Sequence, residues 1–398
     1  MPRSIPALVK PALLVWARER SGLKPEQAAV KMQMDVATLR DWEREGGNER
    51  PSIAQMRKLG EVYKRPLAVF FLQEPPTDFD AQREFRRLPG VTLQNESPEM
   101  RVALRIALFR REAARELYER LGESLPTFDV KAQPSEDAEV VGQRIRELLG
   151  ISWEMQLGWP SAHAALNGWR AAIERLGILV FQSSDMSVEE MRGISIPHGP
   201  LPVILLNSAD APHGRIFTLL HEFAHILLTN AGHETSSLEG QRKPEDQRIE
   251  RISNRFAAAA LMPRQDFIAE ILRYPGAAEG DEDSLRRLAF RRIKVSPEAI
   301  LRRLVELHRA RPSVYRTMRR SWQQRSWYSP PQGEGGPPLE VRVIASAGRP
   351  FVSLVLDSYK RNAVSSSDVS DYLGMQLKYL DRVARQLTPG AGQNEVAV

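Results

Sequence analysis

Two histidines four residues apart, His221 and His225, enclose Glu222 in the run 215–228. Apolar residues at helical spacing flank them (Ile216, Phe217, Leu219, Leu220, Phe223, Ile226, Leu227), with no Gly or Pro interrupting. This periodicity predicts a helix. Residues four apart share a helical face, so the two imidazoles project side by side. So placed, they can grip one zinc ion, with Glu222 beside them as a candidate general base. A histidine in an apolar helix is more often an ordinary core residue, so the chemistry requires a third ligand.

Glu250 is the best candidate for that ligand. It lies in 249–263, a stretch apolar on one face and ended at Pro263, which reads as a second helix. Glu250 closes a His/His/Glu set and leaves the fourth position for water. Asn254, one turn on, is spaced to hydrogen-bond the free ring nitrogen of a liganding histidine and fix its tautomer. The chain has no cysteine, so any zinc site must use His and carboxylate, and no disulfide is possible.

The pattern His221-Glu222-x-x-His225, followed by Ile249-Glu250-x-x-x-Asn254-x-Phe256-Ala257-Ala258-x-x-Leu261-Met262-Pro263, resembles the ImmA/IrrE family of metallopeptidases. Pro202–Asn207 and Arg215–Thr218 match that family's usual lead-in. Ser253 departs from the Ala or Cys common in relatives, a small change. The resemblance implies a compact zincin-like fold, zinc at His221, His225 and Glu250 (manganese being the alternative), and Glu222 as the catalytic group. Zinc in such a site lowers the pKa of a water from 15.7 to about 7. Glu222 takes the proton, and one further donor helps the metal stabilise the oxyanion. His213, His233 and Tyr274 are candidates for that donor. His163, His198 and His308 have no ligand-like spacing.

The peptidase body, 138–275, must position these groups. Ala138–Leu149 and Asn167–Leu176 read as helices. Ile178–Gln182, Arg192–Ile196 and Pro202–Leu206 read as strands. The third strand, just before the metal helix, reads as sheet core or as an edge that pairs with an extended substrate chain.

Residues 1–75 read as five short helices: Pro11–Ser21, Lys24–Met32, Val36–Glu45 capped by Asp35, Pro51–Tyr63, and Pro66–Leu72. A small-residue second helix tight against a third is the pattern of a helix-turn-helix. Leu39 to Glu43, Pro51 to Leu59, and Pro66 to Phe71 resemble the XRE family. The third helix then enters the major groove of double-stranded operator DNA. Ala37, Thr38, Arg40 and Asp41 face the bases, and Lys31 and Gln33 reach phosphate or base. The module carries 13 Lys/Arg against 9 Asp/Glu, thin for phosphate neutralisation, so a homodimer or help from elsewhere is expected.

Residues 76–137 form a connector, with an Phe85–Gly90 segment and a charged helix Pro98–Leu121. Its apolar stripe reads as Val102, Ile106, Phe109, Ala113, Leu117 and Leu121, its arginines as a solvated face. The helix can pair with its twin or lie on the peptidase. Residues 276–328 form a basic helical, HTH-like extension: from Ser284 to Trp327 there are 13 basic residues and 2 acidic. It either completes the peptidase fold or contacts phosphate. A Pro/Gly-rich linker, Ser329–Pro338, leads to a small α/β unit at 339–388.

The fold class is thus α+β and mostly helical. At 398 residues the chain holds two to four domains. A net charge of +6 and a pI of about 9.6 suit an anionic partner, nucleic acid first. The apolar run Ala12–Ala17 is cut by Arg18, Glu19 and Arg20, unlike a signal peptide. No run approaches the ~18 apolar residues of a membrane span. A cytoplasmic, nucleoid-associated protein is expected. Its expected role is zinc-dependent limited proteolysis of a repressor-like protein, guided by DNA binding. The alternative is a non-proteolytic transcription factor or antitoxin-type regulator that uses the zincin fold as a sensor.

Overall fold

The computed structural model describes residues 7, 9–63, 65, 67–72, 74, 97–233, 244–323 and 337–387. The Phe85–Gly90 segment and linker residues 329–336 lie outside the described residues. The described chain is mostly helical, with one three-stranded sheet. No described helix is long and apolar enough to cross a membrane. Two compact units divide it, the first reaching Ile106 and the second starting at Ala107.

The first unit holds α1 (Pro11–Arg20), α2 (Pro25–Met32), α3 (Val36–Glu43) and α4 (Ile53–Tyr63). Asp35 caps α3, its Oδ1 accepting the Ala37 N–H at 2.9 Å. Gln33, left-handed at φ 56°, makes the turn between α2 and α3. Leu14, Ala17, Ala28, Leu39, Trp42, Met56, Leu59, Tyr63 and Phe70 share one core. The expected fifth helix is instead a 3₁₀ turn, Leu67–Phe71. Five residues are too few to offset the nucleation cost of an isolated α-helix, and burial of Phe70 holds the tighter turn.

Helix α5 (Pro98–Leu121) has its first nine residues in the first unit and the rest in the second. Its expected apolar stripe is partly wrong. Ile106 and Phe109 are exposed, whereas Ala103, Leu104, Ala107, Leu108 and Ala114 are buried. The solvated-arginine expectation fails for Arg105 and Arg110, which are buried, and holds for Arg120, which is exposed. Arg105 donates to the carbonyls of Arg20 (3.2 Å) and Tyr63 (3.4 Å), the C-terminal ends of α1 and α4. Such ends attract cations. Arg110, in the second unit, donates to Ser346 O and Oγ and lies over the Phe181 ring. Burial lowers Arg105 to about 9 and Arg110 to about 10, each with help from neighbouring arginines.

The second unit continues with α6 (Ala138–Leu149), α7 (Trp153–Gly158) and α8 (Ala162–Glu174). Strands β1 (Leu179–Ser183), β2 (Gly193–Ile196) and β3 (Val203–Asn207) follow. The order is β1-β3-β2, with β1 parallel and β2 antiparallel to β3. So β3 is the central strand, buried at all five positions, and cannot be the substrate-pairing edge. A strand flanked on both sides has no free backbone rungs to offer. On one face of the sheet, Val180, Ile204 and Leu206 join the main core. On the other, Phe181 packs edge-on against Phe351, ring centroids 6.0 Å apart.

Two long helices come next, α9 (Pro212–Asn230) and α10 (Pro244–Leu261), then α11 (Arg264–Ile271), α12 (Gly276–Glu279) and α13 (Glu282–Arg286). A π-helical turn, Arg287–Ile293, leads to α14 (Pro297–Glu306) and α15 (Pro312–Gln323). Leu285, Leu288, Ile293, Ile300, Leu301 and Leu304 lie in the same core as α9 and α10.

The C-terminal stretch has no strand among the described residues, contrary to the expected α/β unit. It comprises α16 (Leu339–Ala347), α17 (Arg349–Lys360), α18 (Ser366–Leu373) and α19 (Leu380–Leu387). The β-branched residues of 341–344 suggest a strand, but Val343, Ile344 and Ala347 bury one helical face against β1. Packing overrides propensity there. Arg170, buried beside Glu174 at 2.9 Å, donates to Val180 O of β1 and to Ala345 O of α16.

Candidate active site

Helix α9 is apolar nearly all round and buried along most of its length, as a central helix should be. Pro212 starts it. The segment before α6 braces its other end: Asn230 donates to Phe128 O (3.2 Å) and Val130 O (3.1 Å), and Phe128 packs on Phe223. Helix α10 lies alongside α9 and meets α6, where Gly142 leaves room for Ala259; a Cβ on Gly142 would fall 2.7 Å from Ala259.

The end of α10 is held by side chains from three other helices. Arg146 of α6 donates to Ala260 O (2.7 Å) and to Gln156 of α7. Gln156 donates to Leu261 O (3.0 Å). Arg303 of α14 donates twice to Met262 O, at 3.1 and 3.0 Å, and pairs with Glu139 at 2.6 Å. The last carbonyls of a helix have no intrahelical partner, and here two guanidiniums and an amide supply one. Residue spacing gave no sign of this arrangement, because an arginine in a basic stretch reads as surface.

Three ligand atoms converge between α9 and α10. The Nε2 atoms of His221 and His225 lie 3.0 Å apart. Glu250 reaches His225 Nε2 at 3.3 Å and His221 Nε2 at 3.5 Å, and all three groups offer atoms within 4.8 Å of one another. Two ring nitrogens aimed at each other repel unless a proton or a cation lies between them. Ligand bonds of roughly 2.0–2.1 Å in a tetrahedron give edges of about 3.3 Å, so the triangle fits a zinc-sized ion. Burial alone would raise the Glu250 carboxyl; hydrogen bonds and charge from His221 and His225 outweigh it and hold it well below the usual carboxylate range.

Glu222 is 4% exposed, and its Oε2 has no hydrogen-bond partner among the described residues. A buried carboxylate oxygen left unpaired is costly and calls for an explanation. Gly193, at the start of β2, lies directly against it. A Cβ there would fall 2.4 Å from Thr218 Cγ2 and 3.3 Å from Glu222 Cγ. Only a glycine lets the strand approach the helix this closely. The role of Gly193 is not visible in the sequence, where it reads as an ordinary strand glycine.

Asn254 does not do what its spacing suggests. Its Nδ2 donates to Glu250 O at 2.7 Å, one turn back, so it steadies the ligand-bearing turn and not an imidazole. None of the oxyanion candidates is shown at the triad. His233 hydrogen-bonds Gln133 at 3.1 Å, Tyr274 packs against the core, and His213 lies tilted against Phe290, ring centroids 4.5 Å apart. Burial, then His163 and Lys294, lower His213 to about 4. Its folded pKa lies below its unfolded value, so its contribution is present above about pH 6.5 and is lost as pH falls towards 4. His213→Phe is therefore expected to flatten the acid side of the stability profile between these values, measured by urea unfolding at a series of pH values.

In the first unit, Ala37 and Arg40 of α3 are exposed and Thr38 is half-buried. Arg40 pairs with Glu26, and Lys31 with Glu99 at 2.7 Å. Exposed pairs of this kind are weak. Gln33 accepts from Lys58 at 3.3 Å. Asp41 accepts the Glu49 N–H at 2.8 Å and pairs with Arg44, shaping the turn after α3.

Residues 173–305 match the IrrE N-terminal-like domain of the M78 peptidases. Over 158 residues, 39% of the chain, the sequence is 34% identical to the radiation response metalloprotease IrrE of Deinococcus deserti. The chain spans about half the length of that curated relative, 52%. The matched region includes all three ligands and Glu222. That region is similar to an IrrE-like metallopeptidase domain, and the likeness implies a divalent metal for the His221, His225 and Glu250 cluster.

Proposed function

We propose that the chain is a zinc-dependent peptidase that cuts a repressor-like regulatory protein, brought to its target by DNA binding through the first unit. The observation carrying this reading is the triad's 3.0–3.5 Å triangle with the unpaired, buried Glu222 carboxylate beside it. A divalent ion held by His221, His225 and Glu250 supplies Lewis-acid activation of water and of the scissile carbonyl. Glu222 takes the water's proton at its carboxylate and returns it to the departing amine.

The substrate chain is expected on the outer edge of β2. Asn207 N donates to Arg192 O at 2.8 Å, which makes 192 and 207 a bonded pair. By alternation, the N–H and C=O groups of Gly193 and Ser195 point away from β3. An extended polypeptide pairing there lies next to Glu222. At the opposite edge of the sheet, Arg170 occupies Val180 O and α16 packs against β1.

DNA recognition through α3 is supported by exposed Ala37 and Arg40, partly exposed Thr38, and the short α2–α3 turn at Gln33. Asp41, engaged in its own turn, is the weakest candidate for base contact. The test is a reporter under the repressor's control together with mass spectrometry of the repressor. Wild type gives fragments and induction, and Glu222→Gln gives neither. Induction by Glu222→Gln at the wild-type level would leave a non-proteolytic regulator.

A further inference from the structure

We infer that the second unit carries its own binding surface for the phosphate backbone of duplex nucleic acid, on α14, α15 and the turn that joins them. Arg302, Arg309, Arg316 and Arg320 are exposed there and make no ion pair among the described residues. Arg316 and Arg320 are one turn apart on α15, so they share its solvent face. Arg319 falls on the same side, and both it and Arg302 act electrostatically on Tyr315. Helices α14 and α15 therefore present these arginines together. The acids of these two helices are already engaged: Glu298 by the Tyr315 hydroxyl (3.0 Å) and Arg319 (3.6 Å), and Glu306 by Arg255 and Arg303 (3.1 Å each).

Three observations favour phosphate of a duplex. The cations are all arginine, with no lysine between Lys294 and Lys360. Guanidinium forks match phosphate oxygens in pairs, as a point charge does not. Helical spacing of three and four residues sets Arg316, Arg319 and Arg320 roughly 5–6 Å apart, a short ridge suited to a line of phosphates. No large apolar side chain is prominently exposed between residues 302 and 320, so the surface has nothing to insert into a lipid layer. Unlike α3, the ridge offers charge without groove-reading geometry, so its binding is independent of base sequence. The inference does not depend on peptidase activity.

The test uses the full-length protein and random-sequence duplex DNA, with fluorescence anisotropy across a salt series. Replacing Arg302, Arg309, Arg316 and Arg320 by Gln is expected to make the slope of log K against log salt shallower by about 3 to 4. The Arg316→Gln, Arg320→Gln pair should give about half that change, and lysines at all four positions should largely restore it. Replacing Thr38 and Arg40 by Ala should leave the four-arginine contribution in place. An unchanged slope in the Gln variants, with circular dichroism and metal content intact, would overturn the inference. So would loss of binding to phosphatidylserine vesicles with duplex binding unaffected.

Discussion

Glu222→Gln is expected to leave about one metal ion per chain and to slow cleavage by about 10²–10⁴-fold. The amide keeps the size of the carboxylate, so the contact beneath Gly193 survives. What is lost is a basic oxygen. Oε2 has no hydrogen bond to give up among the described residues, so the change removes proton transfer without breaking a structural contact. His225→Ala should act differently. It deletes one corner of the triangle, and metal content should fall with activity. Metal analysis beside initial rates separates the two cases. If Glu222→Gln cleaves at the wild-type rate with full metal, another group is the base.

The second large effect is expected at Arg303. Its side chain is fully buried and joins Met262 O, Glu139 and Glu306. Arg303→Ala strips a carbonyl at the end of α10 of its donor and removes the buried cation shared by Glu139 and Glu306, which keep only the more exposed Arg264 and Arg255. Removing one partner of a buried pair costs about 3–5 kcal/mol. Arg303→Met keeps much of the volume and should cost less than Ala. The measurement is the urea midpoint for metal release, since two units make a single global transition unsafe. A shift below about 1 kcal/mol for Ala would mean that water replaces the guanidinium.

The sequence made the candidate metal cluster legible because metal chemistry demands fixed residue types at fixed spacing. His221, His225 and Glu250 met as expected, since a four-residue step has one meaning on a helix. Strand positions were legible to within a residue, but strand order was not. Order depends on which faces the surrounding helices cover, so β3 could not be told from an edge before its neighbours were seen. Buried arginines were the main blind spot. Arg105, Arg110, Arg146 and Arg303 sit at carbonyl-rich helix ends or loops that only tertiary packing creates. Hydropathy patterns count them as solvent-facing. Asn254 was misjudged for a related reason: its own helix offered a carbonyl, Glu250 O, that takes the side-chain amide. The helices of 339–387 were partly missed because valine and isoleucine favour strands in isolation, and an α-helix can still bury them on one side.

The bare backbone at Gly193 ties two positions into one steric allowance. The nearest obstruction to a methyl there is Thr218 Cγ2 at 2.4 Å, with Glu222 Cγ tight at 3.3 Å and Leu206 Cδ2 at 3.4 Å. Ala at 193 alone should wedge the strand off the helix and lower the yield of folded protein. With Thr218 shortened to Ser, much of that penalty should disappear. The two sites are thus expected to be epistatic, and among homologous chains a bulkier residue at one should accompany a smaller residue at the other.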